Sequence, residues 1–300
     1  MTVAAHLIVG AREEPLLPAL LRSLEGVASL LIVNDNSGDP SGVNARELAT
    51  SWFARNGALI ADRAPFVNFA DARNHVLALH RAHAAGAWAA FVDADEVHGP
   101  DAVAIAARLD ALPPDIAVVD GYTRHYLQSF SWYTTIERRM SFFRVTPDLR
   151  WVHPVHEKLE NVAGRSLAIP YVYHHYGFIL PLRHHAAKGR QYASLGQVGV
   201  TYDDAELPRL DPAYFYRDHW PLALRYRGAD PPAVREVRAL LEGRDGALYA
   251  FADAQIVRVQ TSAIRIRNMV RRVNFEYRWR GRALDPLARR LAAPASASVS

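Results

Sequence analysis

The stretch Trp88-Ala-Ala-Phe91-Val92-Asp93-Ala94-Asp95-Glu96 decides how this chain is read. A short apolar run follows Gly86 and ends abruptly in three carboxylates, Asp93, Asp95 and Glu96. Such a run predicts a buried strand. In an open parallel sheet, ligands collect just beyond the carboxyl ends of the strands, so Asp93 and Asp95 are expected at the rim. Hard oxygen ligands there suit Mg²⁺ or Mn²⁺, ions that bridge to substrate phosphates. The plainer alternative is a solvated strand end that caps the next helix.

The segments on either side supply the sheet. Residues 3–9, 30–33 and 58–61 read as strands, and 15–24, 43–56 and 68–84 as the helices between them. Leu16, Leu17, Leu20, Leu21 and Leu24 have helical spacing, with Pro15 near the start and Gly26 at the end. The second strand stops at Asn34-Asp35-Asn36-Ser37-Gly38-Asp39, a dense cluster of turn formers. This alternation predicts a parallel sheet with right-handed crossovers. No phosphate-loop signature and no G-x-G-x-x-G follows the first strand, which demotes kinase-type loops and ordinary dinucleotide binding. After a helix at 101–112 the pattern changes. Residues 116–127, 139–145 and 167–175 read as strands with little helix between them, which predicts antiparallel or mixed additions. Residues 182–198, 232–242 and 247–278 read as helices, and 293–300 as a disordered tail.

Composition sets bounds. The chain has 300 residues, is 50% hydrophobic and has no cysteine. Disulfides, thiolate metal sites and thiol nucleophiles are thereby excluded, and a reducing compartment fits. The start, Met1-Thr2-Val3-Ala4-Ala5-His6, has no basic region before a long apolar stretch, so no signal peptide is expected. No run reaches the roughly 18 apolar residues of a membrane span. Net charge is +4, unevenly spread: residues 251–300 hold ten Arg against three acids, a local +7, which leaves −3 for the rest. The C-terminal segment is expected to face something anionic.

Several fragments together resemble the family-two glycosyltransferases, inverting enzymes with the GT-A fold. They are Leu7-Ile-Val-Gly-Ala-Arg-Glu13-Glu14, Ile32-Val-Asn34-Asp35-Asn-Ser37-Gly-Asp39, Ala72-Arg73-Asn74, Phe91-Val-Asp93-Ala-Asp95-Glu96 and Trp151-Val-His-Pro-Val-His156-Glu157-Lys-Leu159. The last, followed by His175-Tyr176-Gly177, looks like the branch that modifies lipopolysaccharide cores or peptides. The resemblance covers roughly residues 3–180 and implies an α/β GT-A catalytic domain, taken as residues 1–200; the final hundred residues lie outside it, and their own pattern gives a helical extension over 201–292 and a tail over 293–300. It implies a nucleotide-sugar donor, UDP-hexose foremost, and a glycan or lipid-linked acceptor.

Its residues carry over as follows. Glu13 or Glu14 falls near the nucleoside, and Asn34 and Asp35 take the family's Asp pair, with Asn in the first place still able to accept a hydrogen bond. Arg73 and Asn74 line the donor site, where an Arg grips diphosphate in bidentate fashion. Asp93 and Asp95 match the metal-binding Asp-x-Asp for Mn²⁺ or Mg²⁺, and His175 matches a late metal-completing His. The cation would neutralise charge on the departing diphosphate. Inverting transfer needs a group to take the acceptor's proton. Glu157 is expected as that base and His156 as its neighbour, where relatives carry Glu-Asp. Arg139 and Arg144, in Arg138-Arg139-Met-Ser-Phe142-Phe143-Arg144, are expected to reach phosphate or acceptor.

Three alternatives remain at this point. His153, His156, His174 and His175 form a candidate zinc set. A sugar nucleotidyltransferase would also use carboxylates and metal, although its usual Gly-rich basic loop after the first strand is here the acidic Gly10-Ala-Arg12-Glu13-Glu14. A non-catalytic basic scaffold would bind nucleotide without turnover. In 247–277, Leu248, Phe251, Ile256, Val259, Ile264, Ile266, Val270 and Val273 approximate helical spacing among arginines. A basic amphipathic helix of this kind fits a peripheral contact at the cytoplasmic face of a membrane. The plainer reading is a helix packed on the catalytic domain with a solvated arginine face. No nucleic-acid recognition motif accompanies the charge, and no nucleic acid is expected.

Overall fold

The computed structural model describes residues 3–197, 214–281 and 286–292. The first half alternates as the spacing predicts: β1 (Val3–Val9), α1 (Leu17–Ser23), β2 (Leu30–Asp35), α2 (Val43–Thr50), α3 (Trp52–Arg55), β3 (Leu59–Asp62), α4 (Phe69–His83) and β4 (Trp88–Phe91). A two-residue β5 (Glu96–Val97) and α5 (Asp101–Ala106) follow. Then come β6 (Ile116–Tyr126), β7 (Trp132–Arg144), β8 (Arg150–Val152), β9 (Lys158–Glu160), β10 (Arg165–His175) and α6 (Leu182–Ser194). β11 (Leu224–Arg225), α7 (Arg235–Val259), α8 (Ser262–Gly281) and α9 (Pro286–Ala292) complete the order.

The main sheet runs β3-β2-β1-β4-β7-β6-β10-β5, with β11 on β7, and β8 and β9 form a separate hairpin. β1 pairs in parallel with both β2 and β4, and β2 with β3. β7 enters antiparallel between β4 and β6, which makes the sheet mixed. Val3, Ala4, Ala5, Leu7 and Val9 of β1 are all buried because helices cover both faces, so the strand reads as a nearly continuous apolar run.

The differences from the sequence reading have local causes. The helix expected over 43–56 breaks at Ser51, whose hydroxyl accepts from Ala54 N at 3.3 Å and caps α3. The strand expected from 139 begins at Trp132, because β7 pairs with β6 along most of its length. The gap expected at 243–246 is helical, and the break falls at Gln260-Thr261 instead. There Gln260 Nε2 donates to Ala223 O at 2.6 Å, and Thr261 Oγ1 accepts from Ile264 N at 3.4 Å. β5, β8, β9 and β11 are two or three residues each, too short to show a period.

The C-terminal helices share the core of the sheet. Ala288 and Leu291 of α9 join the cluster that holds Ile105 and Leu109. Val237, Leu241 and Tyr249 of α7 pack with Leu16, Tyr126 and Tyr176. The boundary expected at 200/201 and the tail 293–300 lie outside the described residues. Among the described residues, no helix is long and apolar enough to cross a membrane.

Candidate active site

The acids after β4 do not fray into solvent. Glu96 N donates to Asp93 O at 3.1 Å, and Asp93 N donates back to Glu96 Oε2 at 3.1 Å, closing the turn. Glu96 then pairs with His175 in the antiparallel β5–β10 ladder. That register sets the end of β10 against the tip of β4, and Tyr176 N donates to Asp95 O at 2.9 Å.

Two arginines converge on Asp93. Arg73 Nη2 donates to Oδ1 and Arg139 Nη2 to Oδ2, both in short contacts. Arg139 Nη1 also donates to Glu96 Oε1 at 2.7 Å. Arg73 is 3% exposed, lies 4.1 Å over the Phe91 ring and donates through Nε to Glu157 Oε1 at 3.1 Å. The result is a chain of alternating charge: Glu157, Arg73, Asp93, Arg139, Glu96. Burial raises Asp93, but Arg139 and Arg73 outweigh it and hold the carboxyl below the ordinary range. Burial lifts Glu96 up to about 7 in spite of Arg139. Removing one member of such a chain leaves a buried charge unpaired, typically at a cost of about 3–5 kcal/mol.

Asn74 explains why Glu157 reaches Arg73. Its Nδ2 donates to Trp151 O at 2.9 Å and its Oδ1 accepts from Trp151 N at 2.8 Å. Phe69 N adds a bond to Pro154 O at 3.1 Å. These bonds pin the β8–β9 hairpin to α4, with Glu157 in its turn. Asn74 is therefore a clamp on the hairpin, where the resemblance implied a donor contact. Arg73 does not pair with its neighbour Asp71, whose backbone N is instead taken by the capping Asn68 at 2.9 Å. His156 sits exposed in the same turn at φ 55°, its ring 6.0 Å from that of Tyr192.

Asp95 has a different partner. Its Oδ2 lies 3.4 Å from His175 Nε2, while His175 Nδ1 sits 3.1 Å from His125 Nδ1. Burial opposes its charge, yet His175, then Lys188 and Arg139, keep Asp95 well below the ordinary carboxylate range. Gly177 makes the close approach possible. A Cβ there would meet Asp95 Oδ2 at 2.4 Å and His175 Cε1 at 2.8 Å.

Helix α6 covers this rim with residues that the sequence reading missed. His184, Lys188 and Tyr192 follow at i, i+4 and i+8 and share a face. His184 Nε2 lies 3.8 Å from Glu14 Oε2, and Glu14 Oε1 accepts from Arg12 at 3.0 Å. Burial disfavours the Lys188 ammonium, but Asp95, ahead of Tyr192, Asp93 and Glu14, raises its pKa. Burial likewise raises Glu14. Glu13 is exposed. Asn44, also missed, holds the loop after β1: it donates to Gly10 O and Arg12 O at 2.8 and 2.7 Å and accepts from Glu14 N at 3.0 Å. Periodicity points only to α6 as a helix, so no local signal marks which of its faces meets the acids.

Some expected site residues are spent inside the fold. Asn34 is fully buried, and its Oδ1 accepts from Ala64 N at 3.1 Å, so its amide braces the segment after β3 rather than a base or ribose. Asp35 is buried beside it, accepting from Ser37 N at 3.1 Å with Arg63 Nε 3.4 Å away. Arg144 lies over Trp88 and donates to Ile116 O at 2.9 Å, which removes it from any phosphate. His174 points away from His175, as alternation along a strand requires, and meets Tyr126 Oη at 2.8 Å. With His153 and His156 exposed in the hairpin turn, the four histidines do not converge on a zinc. Among the described residues, no group of three or more His, Asp or Glu is arranged to hold a metal ion. The pair Asp95 and His175 does offer an oxygen and a nitrogen close together. That donor set fits a divalent cation that completes its shell with phosphate oxygens and water. Asp93 fits less well, since both of its oxygens are taken by guanidinium groups.

A mainly parallel sheet whose carboxyl rim gathers paired acids, arginines and a cation-compatible Asp–His pair defines an α/β transferase of the GT-A type. Residues 8–166, more than half of the chain, match the family described as Glycosyl transferase family 2, and the chain belongs to that family. It is a glycosyltransferase. No curated protein matches the chain. Among solved structures it is similar to the mannosyltransferase PcManGT from Pyrobaculum calidifontis in complex with GDP-Man and Mn²⁺, at 15% identity and a TM-score of 0.42, covering 95% of this chain and 87% of that one. It is also similar to residues 1–349 of TarS from S. aureus, at 14% identity and a TM-score of 0.39, covering 97% of this chain and 90% of that one. The family match carries the assignment.

Proposed function

We propose that this glycosyltransferase moves a hexose, with inversion, from a nucleotide diphosphate sugar to a glycan or lipid-linked acceptor of the cell envelope, with Mn²⁺ or Mg²⁺ as cofactor. UDP-hexose is the first donor to test. The observation that carries the reading is Asp95 beside His175 at 3.4 Å, with Lys188 and Arg139 around them. Asp95 and His175 would hold the cation, and the bound cation supplies charge neutralisation on the leaving diphosphate. Lys188 faces the same diphosphate from α6 as a further cation. Arg73 and Arg139 fix Asp93 and order the rim in advance of binding. Glu14 lies toward the nucleoside, with Glu13 at the exposed mouth.

Glu157 takes the proton of the attacking hydroxyl. Its Oε1 is held by Arg73, which orients Oε2 toward the acceptor. His156 grips the acceptor from the same turn. A lipid-linked acceptor fits a peripheral location at the cytoplasmic face of a membrane, with the basic C-terminal helix as the contact.

The test is a screen of nucleotide sugars for donor hydrolysis with and without Mn²⁺. Release of a nucleoside diphosphate that needs the cation and disappears in Asp95→Ala is the expected result. Release of pyrophosphate from a nucleoside triphosphate and a sugar phosphate would instead make the chain a nucleotidyltransferase. Nucleotide binding without turnover of any donor would make it a scaffold.

A further inference from the structure

Helix α8 is packed inside out. Its inward face sets polar anchors between the half-buried Ile264 and Phe275: Asn268, 4% exposed, donates to Pro221 O and Ala223 O at 3.0 and 3.2 Å. Arg271 donates to Leu222 O at 2.6 Å and Thr134 O at 2.9 Å, and Arg272 to Arg225 O at 2.7 Å. These side chains satisfy carbonyls of the 221–225 segment and of β7. The outward face is apolar. Ile266, Met269, Val270 and Val273 stand at i, i+3, i+4 and i+7 and are 62%, 62%, 53% and 60% exposed. The most exposed large side chains of the helix are thus aliphatic, Arg271 and Arg272 turn to backbone carbonyls, and of the arginine face expected from the sequence Arg265 and Arg267 remain exposed.

We propose that this stripe is a docking surface for an anionic lipid bilayer, with α8 lying in the interfacial plane. The four aliphatic side chains enter the boundary between headgroups and acyl chains. The 100° step between helical residues puts the exposed Arg265 and Arg267 on opposite flanks of the stripe, Arg265 at headgroup level and Arg267 leaning back to donate to Pro221 O at 3.4 Å. Charge favours lipid over a second copy of the chain. Arg265 and Arg267 flank the stripe and no acid stands on α8 between Ser262 and Phe275, so two such faces meeting repel, whereas an anionic leaflet attracts. The inference deepens the peripheral membrane contact proposed above and rests on that reading, and its test is independent of the transfer chemistry.

Full-length protein is sedimented with vesicles of phosphatidylcholine alone and of phosphatidylcholine with phosphatidylglycerol, at low and high salt and without donor. The parent is expected to pellet with the anionic vesicles, less at high salt and least with phosphatidylcholine alone. Ile266→Glu/Val270→Glu is expected to weaken that binding by about tenfold or more. Ile266→Leu/Val270→Leu is expected to keep it. Both pairs should leave the melting temperature and vesicle-free donor hydrolysis unchanged, because the side chains are exposed. Absence of parent binding to anionic vesicles at low salt overturns the proposal, as does parent-like binding by the Glu pair. A parent dimer in sedimentation velocity that the Glu pair abolishes, with no vesicle binding, would assign the stripe to a second copy.

Discussion

The tip of β4 and the outer face of α8 break the same rule in opposite directions. At β4 the chain buries charge: Glu96 is fully buried and Asp93 lies between two guanidinium groups. At α8 it exposes aliphatic carbon and spends arginines on backbone carbonyls. Both departures cost stability, since buried carboxylates lose hydration and exposed aliphatics lose burial. The acids at β4 have partners within the chain, supplied by α4, β7 and β10. The stripe on α8 has none among the described residues. A costly arrangement that is internally satisfied points to preorganisation for chemistry, whereas one left open points to something outside the chain.

Asp95→Ala probes that contrast most severely. It removes the carboxylate facing His175, and turnover with the best donor should fall by about 10³-fold with little change in fold. Steady-state kinetics beside circular dichroism measures it, and parent-like turnover would place the cation elsewhere. Glu157→Gln should cut transfer by about 10²–10³-fold while donor binding by calorimetry stays near the parent's, because the amide oxygen can still accept from Arg73 Nε and Asp93 still pairs with Arg73, whereas the proton acceptor is lost. A parallel loss of donor affinity would show that Glu157 acts through Arg73 as a structural brace.

A smaller change sharpens the geometry. Gly177→Ala puts a methyl at 2.4 Å from Asp95 Oδ2, so Asp95 and His175 must part. Donor affinity in Mn²⁺ is expected to drop by about tenfold, whereas affinity in EDTA stays unchanged. Equal loss under both conditions would separate Gly177 from the cation.

A last effect, apart from the site, concerns acid stability. Burial lowers His98 and His80 from the ordinary 6.5 to about 4, and His80 pairs with buried His6 at 2.8 Å. The unfolded chain binds protons at these sites between pH 6.5 and 4 while the folded chain does not, so stability falls as pH falls through that window. Each imidazole contributes on the order of 3 kcal/mol by pH 4. Thermal melts across pH 4–7 follow this loss, and His98→Gln should flatten it in part. A flat profile would mean that these imidazoles protonate without unfolding.

Much of the frame was legible because it is written in long apolar runs. Val3–Val9, Leu30–Val33 and Trp88–Phe91 are buried on both faces and lie between regular helices, so periodicity and turn residues mark them. Asp93, Asp95, Glu157 and His175 were visible as chemistry-bearing types at strand ends or turns, and the fold brings all four to one rim. Their partners were not visible. Arg139 reaches Asp93 from 46 residues away and His175 reaches Asp95 through a two-residue strand, which no local pattern specifies. Asn34 and Asn74 misled for a related reason. Side-chain amides suit a ligand or a backbone equally well, and only the packed structure shows that these two serve the backbone. On α8 the apolar spacing was legible, but whether the apolar or the arginine face meets the protein depended on the carbonyls of residues 221–225, a segment without its own pattern.

The central claim, that Asp95 and His175 grip a divalent cation that holds the donor's diphosphate, is tested most directly by calorimetry of UDP with the parent and with Asp95→Ala, each in Mn²⁺ and in EDTA. The account predicts that the parent binds UDP about tenfold or more tightly in Mn²⁺ than in EDTA, and that Asp95→Ala loses this difference. Equal affinity of the parent in both buffers, or a cation dependence that survives in Asp95→Ala, would contradict it.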